Sequence, residues 1–413
     1  MRPFCAICLA AVAAAISFAA PTALTANAAS APLVTLFYGG AEYVCREDYP
    51  EPPDFLTGEE YASRGLDRPV RERLAVADKL ISEGSDVKRA LIYCFPALED
   101  TVGEAMSSVR KVPVDAEIRF SPDKSPMFEI SRSVPGYSLR EMRVYSDIYF
   151  ALRRGSKRVM LSPEADLPSV TAERLAACTR LRSRFSTSFS SSTADRAHNI
   201  DLAMSRINGR TLMPGESFSF NKTVGRRTEE NGFRRAKIIV GGQYTDGVGG
   251  GVCQASTTLY NAALLAGMKV TAVSRHSLVP SYVDPSFDAM VNGSGSDLKF
   301  VNAGEDPVFI RAVATNGKAT AEFYSSELPY KVQLKSVTVK TGERPADTEF
   351  VDTERRYTEG MEAGEKIRVS GGAPAVTSEG YMIKIYPDGR REQTRIRRDE
   401  YSPAAGRIAV APD

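Results

Sequence analysis

The chain has 413 residues, 43% hydrophobic and 25% charged, which is the composition of a core-forming globular protein too long for one ordinary domain, so two to four domains are expected. Its 53 Lys and Arg stand against 51 Asp and Glu, a balance that argues against a nucleic-acid polyanion as main partner. Trp is absent, and the two His, His198 and His276, confine imidazole chemistry to two positions.

Residues 1–29 read as a secretory signal. Arg2 gives the positive start, 5–20 is an apolar run, and Ala26-Asn27-Ala28 is a small-x-small cleavage site. The apolar run falls short of the ~20 residues of a spanning helix; an uncleaved anchor is the alternative reading. No other stretch is apolar enough to cross a bilayer, so the chain is expected to be exported and extracytoplasmic. Removal of the signal leaves Cys45, Cys94, Cys178 and Cys253 in a thiol-poor compartment. Cys45 and Cys94 flank apolar pieces and are a candidate disulfide; Cys178 suits a small buried apolar position.

Residues 30–110 open with a strand at 33–38, followed by a Pro-rich stretch at 49–53. A helix is expected over 71–83, with Leu74, Ala77 and Leu80 on one face and Gly84 ending it. Residues 86–108 are helix-rich, with an interruption at Pro96. No catalytic cluster falls here. Residues 111–180 give strands at 115–120 and 127–131, a helix over 139–153 closed by Gly155, and a strand at 158–161.

Thr193 is a good N-cap for a helix carrying Ala197, Ile200, Met204 and Ile207 on one face, ended by Asn208-Gly209. Gly249, Gly250 and Gly251 then precede Cys253, and Ala255, Leu259, Ala262, Ala263 and Ala266 follow at helical spacing. Cys253 is therefore expected at a helix N-terminus, where the dipole and free N–H groups favour a thiolate. A strand is expected at 269–273, then His276 and Asp288. A nucleophilic Cys253, a base in His276 and an orienting Asp288 make a candidate thiol site. Gln254, or the N–H groups near Gly251, could stabilise an oxyanion, and the glycines would let a substrate backbone approach. Arg275 and Tyr282 join them as candidate substrate-binding residues. The bland alternative is a small core cysteine and a histidine bonded to backbone. No metal is expected, because no paired Cys or His spacing accompanies the three groups. No cofactor is expected either, because the glycines are not followed by Gly-Lys-Ser/Thr.

Residues 331–413 read as β. Val332, Leu334, Val337 and Val339 mark strands, and Pro387-Asp388-Gly389 marks a hairpin. Arg390, Arg391, Arg395, Arg397 and Arg398 give its return strand a basic face, read as solvated or as touching an anionic wall polymer.

The blocks Pro214-Gly215-Glu216-Ser217-Phe218-Ser219-Phe220-Asn221, Gly225-Arg226-Arg227, Gly232-Phe233-Arg234-Arg235-Ala236, the run from Gly249 through Gly267, Arg275-His276-Ser277, Tyr282-Val283, Asp288-Ala289 and Asp297-Leu298-Lys299-Phe300 with Asn302 resemble, in this order, the VanW (vancomycin B-type resistance) family. A glycine usual before the Asp-Ala pair is replaced here by Ser286-Phe287. The Asp115-Ala116 strand, Gly136-Tyr137, Gly155, and Pro168 with Thr171 resemble peptidoglycan-binding modules found beside L,D-transpeptidase and VanW domains. Gly360, Gly364, Gly371, Gly372 and Gly380 are compatible with the five-glycine β-modules that often follow VanW domains. A helix-borne Cys253, then His276 in a strand, then Asp288 in a strand is an order similar to that of transglutaminase-like and papain-like thiol enzymes.

The expectation is thus an α+β multidomain protein. Its parts are a signal (1–29), an α/β region (30–110), a peptidoglycan-binding-like module (111–180), a central mixed α/β VanW-like domain (181–330) and an all-β module (331–413). The resemblance implies an envelope setting with peptidoglycan or another wall polymer as partner. The protein would be a thiol acyl-transfer or hydrolytic enzyme, or else a non-catalytic wall-binding scaffold. Oligomeric state is left open.

Overall fold

The computed structural model describes residues 31–47, 56–240, 243–293 and 295–413; the signal and the Pro-rich stretch at 49–53 lie outside them. The described chain is mixed α+β and divides into two compact units, one holding 31–113 with 135–167, the other 114–134 with 168–413. The stretch 111–180, read from the sequence as one module, is shared between them.

In the first unit, strand Val34–Tyr38 pairs antiparallel with Ala41–Cys45 and parallel with Arg158–Met160. Helix Val70–Ser82 presents buried Leu74 and Ala77, as the helical spacing predicts. Pro96 separates helices Val87–Cys94 and Leu98–Val109, since it supplies no backbone donor there. Leu36, Leu91, Phe95, Leu98, Tyr145 and Ile148 fill the core. Cys45 and Cys94 are fully buried free thiols, so the expected disulfide is not formed. Enclosed by apolar neighbours, both act as small hydrophobes, and burial pushes each thiol up to about 11.

The second unit carries the site. Strands Leu181–Ser188, Lys318–Tyr324, Val308–Thr315 and Arg210–Leu212 form an antiparallel sheet in that order. Helix Val252–Leu265 packs its small residues Ala255, Ala262 and Ala263 into one core with Ile310, Ala319, Ala321 and Phe323. Small side chains bring helix and sheet close, which is why the helix is buried almost all round. Helix Ala194–Ile207, capped by Thr193 as expected, contributes Ile200, Met204 and Ile207 to that core. Strand Lys299–Val301 lies between Lys269–Ala272 and Ser217–Ser219, antiparallel to both, and Arg235–Val240 pairs with Gln243–Val248 as a hairpin.

Residues 331–413 contain strands and turns, with no helix among them. Lys331–Thr341, Val376–Ile385 and Arg391–Tyr401 make an antiparallel sheet whose hairpin turns at 386–390. The last strand bulges at Ile396, between the pairs Gly380–Arg397 and Tyr381–Arg395. One extra residue exchanges the two faces of a strand. Arg391, Gln393 and Arg395 are exposed before the bulge, whereas Asp399 and Tyr401 are buried beyond it. The basic face is therefore not uniformly solvated. Arg395 and Arg398 pair with Glu379 at 2.7 and 3.1 Å, and Arg397 turns inward, with its side chain 9% exposed.

Candidate functional site

Cys253 is the second residue of helix Val252–Leu265, where the sequence places it. The glycines before it serve the chain's own packing. Gly251 caps the helix at φ +103°, a conformation L side chains rarely adopt, and a Cβ on it would lie 2.9 Å from Ile200 and 3.0 Å from the Arg196 carbonyl. A Cβ on Gly250 would lie 2.6 Å from the Lys237 carbonyl oxygen and 2.8 Å from that of Ala236. Buried Asn199 fastens this turn: its Nδ2 donates to the carbonyls of Arg234 and Gly250, both at 2.9 Å, and its Oδ1 accepts from Arg234 N at 2.8 Å. The glycines border the cleft described below, yet the close approach they permit is to helix and hairpin, not only to a ligand.

His276 and Asp288 are in loops rather than in the strands expected for them, flanking an isolated bridge between Ser274 and Met290. Asp288 Oδ2 accepts from His276 Nδ1 at 2.7 Å and from the His276 amide at 2.6 Å. That contact orients the His276 ring, which borders the same cleft as Cys253 and is close enough for thiol and imidazole to shift each other's protonation. Cys253 Sγ lies 3.3 Å from the Val291 carbonyl oxygen, the acceptor for a protonated thiol. The three sequence-assigned groups thus meet, with Cys253 partly exposed, His276 7% exposed and Asp288 fully buried.

Their electrostatics are mutually consistent. Burial alone would raise the Cys253 thiol, but the hydrogen bond and charge of His276, with Arg227 behind them, hold it below the ordinary thiol value. Burial alone would lower His276; its bonds to Asp288 and Cys253 outweigh this and raise it to about 9. Burial opposes ionisation of Asp288 too, yet His276, Arg397 and Tyr401 keep its carboxyl below the usual range. All three shifts favour the charged forms, thiolate, imidazolium and carboxylate, relative to the ordinary values of these groups.

Several residues that build this site escaped the sequence reading. Ser256, Thr257 and Asn261 face the Asp288 loop from the buried helix: Ser256 Oγ donates to the Ala289 carbonyl (2.5 Å), Thr257 Oγ1 accepts from Ala289 N (3.0 Å), and Asn261 Nδ2 donates to the Phe287 carbonyl (2.8 Å). Polar residues at turn spacing in an Ala-rich helix were the available signal. Tyr401 and Arg397 reach Asp288 from the C-terminal sheet. Tyr401 donates to Oδ1 at 2.6 Å, and Arg397 bonds the Asp288 carbonyl while pairing with Asp399 at 3.0 Å.

Cys253 and His276 border a cleft of about 1300 Å³ with Tyr282 and the three glycines at its edge. Two sequence assignments change. The Gln254 side chain is 1% exposed, and its amide is committed: Nε2 donates to Thr187 Oγ1 (3.1 Å) and the Ser188 carbonyl (2.7 Å), and Oε1 accepts from Arg196 (2.8 Å). It braces the cleft wall rather than offering an oxyanion donor. Arg275 is exposed and borders a separate cavity with Lys269 and Arg398, not the Cys253 cleft.

A mixed α+β unit that sets Cys253 and His276 on the wall of one cleft, with Asp288 buried against the histidine, is the class of structure these features define. Residues 195–324, which contain all three groups, match the family model described as VanW like protein. The chain is 37% identical over 196 residues to the uncharacterized protein YoaR of Bacillus subtilis (strain 168), covering 47% of this chain and 64% of that protein. It is 25% identical over 152 residues to the vancomycin B-type resistance protein VanW of Enterococcus faecalis (strain ATCC 700802 / V583), covering 35% and 55%. The matches thus span less than two thirds of either relative. No solved structure matches the chain.

Proposed function

We propose that this is an exported envelope protein whose VanW-like domain is a thiol acyl-transfer or hydrolytic enzyme acting on wall peptides. The observation that carries the reading is that His276, hydrogen-bonded to a carboxylate with no exposed surface, borders the same cleft as the partly exposed Cys253. A core cysteine needs no such partner, and the three other thiols among the described residues, Cys45, Cys94 and Cys178, are buried and driven the opposite way. The relation to VanW, the reading of 1–29 as an export signal and the wall-module resemblance of 111–180 support the envelope setting.

In this mechanism the Cys253 thiolate attacks the carbonyl carbon of a peptide bond, forming a C–S bond and an oxyanion. The Cys253 N–H in the opening turn of the helix is the donor assigned to that oxyanion. Collapse breaks the C–N bond, and the departing amine takes the proton of the His276 imidazolium. A thioester remains. Water or a second amine attacks it, His276 accepts the incoming proton, and the C–S bond breaks to restore the thiolate. Asp288 holds the imidazole orientation throughout, as its two bonds to residue 276 dictate.

The test is incubation with soluble disaccharide-peptides released from purified sacculi, followed by intact-mass measurement. An adduct on Cys253 equal to the fragment less its leaving amine, absent from Cys253→Ala, supports the reading. Neither adduct nor altered peptide, with sacculus sedimentation unchanged by Cys253→Ala, would replace it with a binding role.

A further inference from the structure

The cleft above Cys253 has an uneven charge. Among its described lining residues are Arg196, Arg226, Arg227 and Lys237, and no Asp or Glu. The whole chain is nearly balanced, with 53 basic against 51 acidic residues, so this is a local concentration rather than an overall excess. Two acids near the site are engaged elsewhere: Asp288 is sealed behind His276, and Asp297 accepts from Ser219 Oγ at 2.6 Å and Asn221 N at 2.8 Å.

Arg227 is the most telling of the four. It is half-buried, bonded to Asn221 Oδ1 and, at 3.4 Å, to the Gly225 carbonyl, with its guanidinium 5.8 Å from the Phe220 ring. Neutral partners hold it in place without neutralising it. Its charge acts on Cys253 and Asp297, with neither at ion-pair distance, and desolvation lowers its affinity for a proton. A partly desolvated guanidinium fixed beside a nucleophile offers planar donors that match a carboxylate.

We propose that this cleft selects an acidic peptide as acyl donor, with Arg227 receiving a carboxylate next to the scissile bond and Arg226 and Lys237 guiding it in. The inference rests on Cys253 being the nucleophile. Arg227 is a specificity residue here, because its partner is substrate rather than the relay. The amide chemistry proposed for Cys253 favours a peptide carboxylate over a polymer phosphate, either of which a guanidinium can grip with two donors.

The test compares two alkylating agents that differ only in charge. Iodoacetate carries a carboxylate one carbon from the reacting centre, and iodoacetamide is neutral. Their rates at Cys253, resolved by peptide mapping of the whole protein, share one thiolate fraction, so the ratio is free of any change in thiol pKa. The wild-type ratio, normalised to that of glutathione, is expected about tenfold in favour of iodoacetate, the equivalent of about 1.4 kcal/mol. Arg227→Gln is expected to return it to the glutathione value, and Arg227→Lys to keep part of it. An acetylated glutamate dipeptide is expected to slow the iodoacetate reaction more than glycerol phosphate does. A wild-type ratio equal to that of glutathione overturns the proposal, as does a high ratio indifferent to Arg227→Gln. Protection by glycerol phosphate equal to that by the dipeptide overturns the peptide assignment. Should Arg227→Gln fail to fold, the wild-type ratio and the two protections still decide. Inertness of Cys253 to both reagents would instead remove the nucleophile itself, a separate failure.

Discussion

The hydroxyl of Tyr401 donates to Oδ1 of Asp288 at 2.6 Å, across 113 residues of sequence. The same oxygen accepts from the Ser286 amide at 2.7 Å, so one phenol holds both the carboxylate and the turn that delivers it. The φ of Ser286 is +66°. A side chain in that region is strained. Here the strain is met by the Tyr401 bond and by a second one, Ser286 Oγ to Ser378 Oγ at 2.7 Å. Both partners belong to the C-terminal sheet. That sheet is therefore part of the site's scaffold.

Tyr401→Phe leaves Ser286 N and one Asp288 oxygen without their buried partner. The expected loss is about 1–3 kcal/mol of stability, read as a lower urea midpoint. The Cys253 thiol should move upward in pH at the same time, because a looser Asp288 holds His276 less well. A shift in stability with an unchanged thiol titration would mean that Tyr401 supports the fold alone.

Asp288→Asn removes the carboxylate but leaves Arg397 buried. Breaking a buried charged pair typically costs about 3–5 kcal/mol, although the Arg397–Asp399 pair, at 3.0 Å, offsets part of it. The pH sign follows from the lowered carboxyl of Asp288. Its contribution is present above the unfolded value, about 3.9, and is lost as pH falls through the folded one. Wild-type stability should therefore decline in acid more steeply than that of Asp288→Asn, checked by urea midpoints at pH 6 and in steps below pH 4.

Gly250→Ala should cost more than an ordinary surface substitution. The new methyl meets two backbone carbonyls at 2.6 and 2.8 Å, and backbone cannot rotate aside. A loss of about 1–3 kcal/mol is expected from overpacking, with slower Cys253 alkylation as the helix start shifts. A thermal midpoint equal to the wild type's would contradict the close approach of this turn to the hairpin.

The order of thiol labelling should separate Cys253 from its fellows. Burial pushes Cys45 and Cys94 up to about 11, and Cys178 is also raised by burial, whereas Cys253 is lowered. Peptide mapping after brief labelling at neutral pH should find Cys253 modified first and those three only on unfolding. Early labelling of Cys45 or Cys94 would show that their core opens readily.

Much of this was legible in the sequence because local rules carried it. The cap at Thr193, the break at Pro96 and the helical spacing after Cys253 depend on neighbouring residues, and the helices formed accordingly. Cys253, His276 and Asp288 could be chosen by residue type and order. What brings them together could not, because it comes from far along the chain. The bulge at Ile396 reverses which side chains of its strand face inward, so Arg397 read as one more surface arginine. Gln254 looked like an oxyanion donor beside a nucleophile, until the sheet residues Thr187 and Ser188 engaged its amide. Cys45 and Cys94 looked like disulfide partners in an exported chain, yet their setting in an apolar core suits two thiols as small hydrophobes.

The central claim is a working Cys253–His276 pair, and the most direct measurement is the pH dependence of Cys253 alkylation by iodoacetamide in wild type and His276→Ala. The structure predicts a wild-type reaction that already proceeds below the free-thiol value of about 8.5, with a second step near 9 as His276 loses its proton. In His276→Ala a single step should move up to or above the free-thiol value. A wild-type thiol that titrates at or above that value, and is unmoved by His276→Ala, would contradict the pair.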